Sequence, residues 1–176
     1  MKKLELERTF LAKYLPEDLA SFPSREVCDI YVKGESEYLN LRLRSNGGKY
    51  EITRKERIND DDASRQIETT INLVKEEFDH LAKFTERKLC KQRVDYVLDN
   101  VKIEFDIFDG EFKGLVLVDI EFEDEQTKDS FATPDFCLAD VTQEDFIAGG
   151  FLFSRSYEDI EMYLQKYNYK QIICKY

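Results

Sequence analysis

Seven short stretches of this chain place charged or polar residues on every second position, with apolar residues largely filling the places between. They are Glu5/Glu7, Arg42/Arg44, Thr53/Lys55, Gln66/Glu68, Lys91/Arg93, Glu104/Asp106 and Asp119/Glu121. Side chains of a strand alternate between the two faces of its sheet, so the members of each pair point the same way. One such stretch describes any half-solvated strand. Seven of them, sorted into basic and acidic pairs, point to a shared surface that holds a polyanion, with metal ions between it and the carboxylates.

The pattern reads as strands over 3–11, 28–33, 38–44, 49–55, 66–71, 85–98, 101–108 and 115–125. Ser45-Asn46-Gly47-Gly48, Asp99-Asn100 and Asp109-Gly110 supply tight turns between neighbours. Helices are predicted over 16–22, 72–83, 140–148 and 157–167, and a loop over 58–64. No repeat, low-complexity run or linker interrupts the 176 residues, so they read as one domain, with strands over about 3–125 and a helical tail over about 140–170. Eight strands on short connections favour a mainly β, α+β fold: an eight-stranded antiparallel β-barrel with flanking helices and a C-terminal helical segment. Such a barrel encloses side chains or one small ligand and leaves no free sheet edge.

The pattern alone leaves two orientations open. Leu4, Leu6, Leu41, Leu43, Ile103, Phe105, Ile107, Ile120 and Phe122 lie between or beside the charges. They either fill the barrel, with the charges in solvent, or form its outer surface, with the charges lining a lumen. Sorting of charge by strand, and amphipathic helices that need apolar surface to dock on, favour the second. Each buried ion costs several kcal/mol unless paired or coordinated. A charged lumen is therefore wet, ion-paired, or loaded with ligand and metal. Phosphate held by Arg and Lys, with divalent metal bridging it to carboxylates, satisfies both sets of charges.

Composition removes several function classes. The 42% of apolar residues is enough for a core. With 37 acidic and 26 basic residues the formal net charge is −11, a poor balance for a nucleic-acid duplex or an anionic membrane surface. No run is long enough to span a membrane, and Met1-Lys2-Lys3 leads straight into a charged strand with no secretory character. Cys28, Cys90, Cys137 and Cys174 are far apart and are expected as free thiols in a cytoplasmic protein. His80, the single histidine, argues against His-based zinc sites and Ser-His triads, and reads as a helix-surface residue.

The residues resemble the CYTH, or triphosphate tunnel metalloenzyme, superfamily. Leu4-Glu5-Leu6-Glu7-Arg8-Thr9 is similar to its N-terminal ExExK strand. Arg42-Leu43-Arg44, Thr53-Arg54-Lys55 and Lys91-Gln92-Arg93 follow in family order as RxR, TxK and KxR. Glu104-Phe105-Asp106, Gly114-Leu115 and Asp119-Ile120-Glu121-Phe122 match the acidic late strands, and Val141-Thr142 the start of the tail. The likeness spans roughly residues 3–153. It implies an eight-stranded tunnel open at both ends that binds triphosphates with Mg²⁺ or Mn²⁺. It also implies a phosphate clamp of Arg42, Arg44, Lys55, Lys91 and Arg93, with Tyr31 as a further substrate contact. Glu5, Glu7, Glu68, Asp106, Asp119 and Glu121 would hold metal, and Glu5, Glu7, Lys91 and Arg93 would carry catalysis.

The leading expectation is a metal-dependent hydrolase of short triphosphates, most simply tripolyphosphate to pyrophosphate and phosphate, acting as a monomer or homodimer on a small-molecule substrate. A class IV adenylate cyclase and a non-catalytic module that binds polyphosphate or nucleotide are the alternatives, and a solvated barrel with no ligand is the bland rival. Three departures from the family pattern stand out: Thr9 replaces the lysine of ExExK, Gln66 precedes Glu68, and the second strand reads Asp29-Ile30-Tyr31 where Gln-x-Tyr is common. Arg8 has the wrong parity to replace the lost cation. Asp60-Asp61-Asp62 reads as a solvated loop, Asp140, Glu144 and Asp145 as helix-start charges, and Arg155 as a surface residue.

Overall fold

The computed structural model describes residues 1–33, 38–84 and 87–173. Nine strands are present among these residues: β1 (Lys2–Ala12), β2 (Ser24–Lys33), β3 (Tyr38–Asn46), β4 (Lys49–Asn59), β5 (Asp62–Leu73), β6 (Leu89–Leu98), β7 (Val101–Phe108), β8 (Val116–Phe122) and β9 (Cys137–Asp140). Four α-helices accompany them: α1 (Lys75–Leu81), α2 (Glu125–Ser130), α3 (Gly149–Phe153) and α4 (Tyr157–Gln165). The strands pair antiparallel in the order β5-β4-β3-β2-β6-β7-β8-β1, and β1 closes the ring onto β5 through Lys2↔Thr69 to Leu6↔Arg65. This is the expected eight-stranded barrel. β9 lies outside it, against Phe10–Ala12 of β1.

The orientation left open by the sequence is resolved by burial. Phe10, Ile103, Phe105, Val118 and Ile120 point outward from β1, β7 and β8, and all are fully buried. They pack under Leu19, Phe22, Phe131 and Phe136 from the connecting segments. A second apolar cluster gathers Leu11, Leu89, Phe108 and Leu117 with Phe146, Leu152, Phe153, Ile160 and Leu164 of the tail. The cover is uneven: Leu4 and Ile71, on the β1–β5 side, stay 51% and 58% exposed. The alternate parity, which carries the charges, faces the lumen.

Turn chemistry follows the sequence. Gly47 and Gly48 join β3 to β4 at φ +55° and +85°, which glycine adopts without steric cost. Asp99 and Asn100 take the same left-handed conformation between β6 and β7.

Several boundaries differ from the expectations. Between Pro16 and Pro23 only the 3₁₀ turn Leu19–Ser21 forms, since so short a bracket cannot repay helix nucleation. The expected loop over 58–64 is mostly strand, because β4 and β5 continue to Asn59 and Asp62 and leave only the hairpin tip. Residues 140–148 are not helical. Asp140 accepts the Thr142 backbone N–H at 2.9 Å, a local bond that competes with a helical turn, and a 3₁₀ turn follows at Asp145–Ile147. The helix expected from residue 72 begins at Lys75, after β5 ends. β6 starts at Leu89; residues 85 and 86 of the expected strand lie outside the described residues. The sequence pattern does not signal α2 or β9.

The cysteine expectation is corrected. Cys28 and Cys90 are register partners on β2 and β6 and form a disulfide, their Cα atoms 4.1 Å apart. A separation of 62 residues hides that adjacency from any spacing rule. Cys137 is a free, buried thiol, pushed up to about 12 by burial. Cys174 lies outside the described residues.

Candidate active site

Alternation carries the predicted polar residues of each strand to one inner wall. All twelve expected site residues line a single cavity of about 390 Å³ inside the barrel. The lumen is paired rather than bare.

On the β2–β3 wall Arg44 donates through Nε and Nη2 to the two carboxylate oxygens of Asp29, at 2.7 and 2.8 Å. Burial would raise the Asp29 carboxyl, but the Arg44 and Arg42 guanidiniums outweigh it and hold it well below the usual carboxylate range. Arg42 lies 3.6 Å from both Asp29 and Glu68 and donates to the Tyr31 hydroxyl at 3.2 Å. Its Nε is buried without a hydrogen-bond partner.

Across the lumen, Lys55 of β4 reaches over β5 to Glu5 at 2.8 Å and Glu7 at 3.5 Å, both on β1. Burial raises the Glu5 carboxyl despite that lysine.

The β6–β8 wall is the most tightly coupled. Arg93 of β6 grips Asp106 of β7 with two bonds of 2.6 Å, Lys91 joins the same carboxylate, and Asp106 is wholly buried. Arg93 also pairs with Glu104 and lies 3.4 Å from Asp119. Burial would raise the Asp106 carboxyl, and Arg93 and Lys91 reverse that and hold it low. Lys91 itself is lowered, by burial and by Arg93 and Arg44, against the pull of Asp106. Asp119 moves the other way: burial, then Glu7 and Asp106, push it up to about 8. Thr9 lines the lumen, whereas Arg8 points outward to Asp140 at 2.9 Å, as its parity requires.

At one end Ile147, Ala148, Gly149 and Gly150 line the cavity together with Tyr31, Leu89, Phe108 and Leu117. The resemblance implies a tunnel open at both ends; here the tail crosses this end. A Cβ on Gly149 would sit 1.9 Å from the Tyr31 hydroxyl, so any larger residue there must displace Tyr31 or the crossing segment. The other end carries Arg25, Asn46, Asp95, Lys102 and Glu104. Asp29, Arg25 and Lys102 have no role in the sequence-based expectation, and Glu104 was placed on the shared charged surface without a ligand role. Glu104 had the right parity for the lumen, while the expected strand began at residue 28 and so cut Arg25 off from its own alternation.

Of the remaining candidates, Glu144 borders the same cavity and the others stay apart. Asp60 and Asp61 are exposed at the β4–β5 tip, and Asp62 accepts bonds from Ser64. Asp140, Glu144 and Asp145 pair with Arg8, Tyr167 and Arg57 respectively. Arg155 donates to the Phe151 carbonyl, and His80 contacts the Glu76 carbonyl on α1. A wider outer cleft, about 630 Å³, has its cations engaged: Arg8 by Asp140, and Lys128 by Ser64 and Glu125.

Among the described residues no three Asp, Glu, His or Cys side chains stand ready as a metal cluster. The donor set nevertheless fits Mg²⁺-type binding. That ion takes one or two carboxylates and completes its shell with water and phosphate oxygens. Asp119 lines the cavity with Glu7 and Asp106, and burial first, then these two charges, raises its carboxyl; a cation there would offset the second cause. No helix among the described residues is long and apolar enough to cross a membrane.

No family model matches the chain. It is 32% identical over 143 residues to an inorganic triphosphatase of Nitrosomonas europaea, covering 80% of this chain and 90% of that one. A crystal structure of an inorganic triphosphatase superposes with a TM-score of 0.63 at 26% identity, over 86% of this chain and 95% of the other. A putative adenylate cyclase of Bacillus halodurans shares the fold, with a TM-score of 0.52 at 13% identity over 99% of this chain and 95% of that one.

Proposed function

The chain belongs to the triphosphate tunnel metalloenzyme (CYTH) superfamily, and from this we infer that it hydrolyses short triphosphates, most simply tripolyphosphate to pyrophosphate and phosphate. The observation that carries this reading is the convergence of Arg42, Arg44, Lys55, Lys91 and Arg93 with six carboxylates on one enclosed cavity. Phosphoryl transfer asks for positioning and charge neutralisation more than covalent chemistry.

In the proposed site Arg42 and Arg93 offer planar donor sets to phosphoryl oxygens, and Lys55 and Lys91 offer point charges. Arg44 adds the edge that Asp29 leaves open. The Tyr31 hydroxyl, held by Arg42, borders the same space. Glu5, Glu7, Glu68, Asp106, Asp119 and Glu121 would hold Mg²⁺ or Mn²⁺, which when bound neutralises the phosphate chain and lowers the pKa of water. Phosphate would replace the carboxylates as partners of Lys55 and Arg42, which would leave Glu5, Glu7 and Glu68 available to hold a metal. Catalysis is assigned to Glu5 and Glu7 with Lys91 and Arg93, which sit on opposite walls and bracket the phosphoryl group. The end crossed by 147–150 excludes bulk water from one side.

Phosphate release from tripolyphosphate, ATP and thiamine triphosphate, each with Mg²⁺ and with Mn²⁺, tests the reading. Rapid release from tripolyphosphate supports it. Cyclic AMP from ATP would overturn it in favour of a cyclase, and tight binding of tripolyphosphate without release would make the site a binding module. A monomeric or homodimeric state completes the proposal; the cytoplasmic setting expected from the sequence went with free thiols, and the Cys28–Cys90 bridge weighs against it.

A further inference from the structure

Six of the lumen carboxylates are assigned above to an incoming metal. Asp29 is not among them. It sits on the β2–β3 wall, between Arg42 and Arg44, with only 4% of its surface exposed. Both of its oxygens are engaged by Nε and Nη2 of Arg44 in the side-on arrangement that a phosphoryl group also prefers. Arg42 is the contrasting neighbour: its distances to Asp29 and Glu68 are both 3.6 Å, and its Nε has no hydrogen-bond partner. The two arginines are successive inward residues of β3. Arg42 stands opposite Tyr31, near the end crossed by 147–150, and Arg44 stands opposite Asp29, one step toward the open end.

We propose that Asp29 is a resident anion that limits the length of the phosphate chain the site holds, by occupying in advance the guanidinium fork of Arg44. Substrate then meets Arg42, Lys55, Lys91 and Arg93, whose carboxylate partners include Glu68, Glu5, Glu7 and Asp106, all proposed above as metal ligands, whereas the fork of Arg44 is filled by a carboxylate that is not one. Short chains fit this arrangement, and a longer linear polyphosphate must compete with a tethered carboxylate for its next contact. The inference rests on the triphosphate reading of the cavity and names the residue that sets its preference.

Calorimetric titration of inorganic tripolyphosphate and linear tetrapolyphosphate, with Ca²⁺ in place of Mg²⁺ and phosphate release checked to be nil, into the native protein and Asp29→Asn tests it. Freeing one guanidinium for phosphate is expected to tighten tripolyphosphate binding about tenfold and tetrapolyphosphate binding by more, with the kinetic change carried by KM. An unchanged or weaker Kd overturns the proposal, because Asp29 would then be a support that orients Arg44 toward substrate. Asn in place of a buried charge partner also destabilises the fold. A second measurement therefore uses the native protein alone: on adding tripolyphosphate, the Arg42 side-chain Nε–H resonance should shift while that of Arg44 stays in place. Equal shifts of both sink the idea. Binding is read without turnover, so native protein that binds tripolyphosphate and releases no phosphate with Mg²⁺ or Mn²⁺ would refute the hydrolase reading and leave this comparison standing.

Discussion

Thr9 donates its hydroxyl to Asp119 Oδ1 at 2.8 Å, from a lumen position where the family pattern places a lysine. The hydroxyl gives Asp119 a hydrogen bond but no charge, and burial beside Glu7 and Asp106 leaves that carboxyl raised. Thr9→Lys supplies the missing cation within reach of both Asp119 and the phosphate path. At saturating Mg²⁺ the KM for tripolyphosphate is expected to fall roughly three- to tenfold, the range of one ordinary added hydrogen bond, since Asp119 shares the new ammonium. An unchanged KM would show that Asp119 keeps the new ammonium to itself.

The same carboxyl gives stability a pH dependence. Its folded value of about 8 lies above the ordinary aspartate value of about 3.9. A raised folded value means the native state holds a proton the unfolded chain has released. The resulting stability is complete below about pH 4 and is lost as pH rises through about 8. In metal-free buffer the native Tm should therefore drop between roughly pH 5 and 8 more steeply than that of Asp119→Asn. Parallel curves would contradict the burial that drives the shift.

The fold was legible because closure of this barrel depends on alternation, and alternation is written residue by residue. The twelve site side chains shared one parity, and the structure placed all of them on one cavity. Partnerships were not legible. Nothing local says that Asp29 faces Arg44, since their contact depends on the β2–β3 register, or that Cys28 meets Cys90 across β2–β6. The tail misled for a different reason. Residues 140–148 were expected as a helix, but the side-chain bonds of Asp140 and Thr142 and the pairing of β9 with β1 take the start of that segment first.

Gly149 offers a steric test of the closed end. The space beside its Cα is already filled: an added methyl would overlap the Tyr31 hydroxyl and approach the ring carbon that bears it at 2.7 Å. Gly149→Ala must move either Tyr31, which is packed against Phe153 and bonded to Arg42, or the crossing segment itself. Overpacking of this kind costs about 1–3 kcal/mol, or roughly 2–12 °C in Tm for a chain this size. Tyr31→Phe removes the clashing oxygen, so in the double variant part of the lost Tm should return. No recovery would place the strain elsewhere.

The Cys28–Cys90 bridge links strands from the two halves of the barrel, β5-β4-β3-β2 and β6-β7-β8-β1, close to the end of their shared ladder at Asp29↔Leu89. It closes a loop whose ends are 62 residues apart. Chain-entropy arguments assign such a loop about 4 kcal/mol, and measured bridges usually give about 2–4. Reduction by a dithiol should lower Tm by roughly 4–16 °C. Peptide mapping without reductant should recover the two cysteines in one linked fragment. Both cysteines sit next in sequence to lumen residues, Asp29 and Lys91, so loosening this seam also disturbs the walls that carry Arg44 and Asp106. Cys28→Ser with Cys90→Ser should reproduce the reduced protein in Tm and lose its response to dithiol. A pair of thiols found free in the oxidised native protein would remove the bridge and with it this expectation.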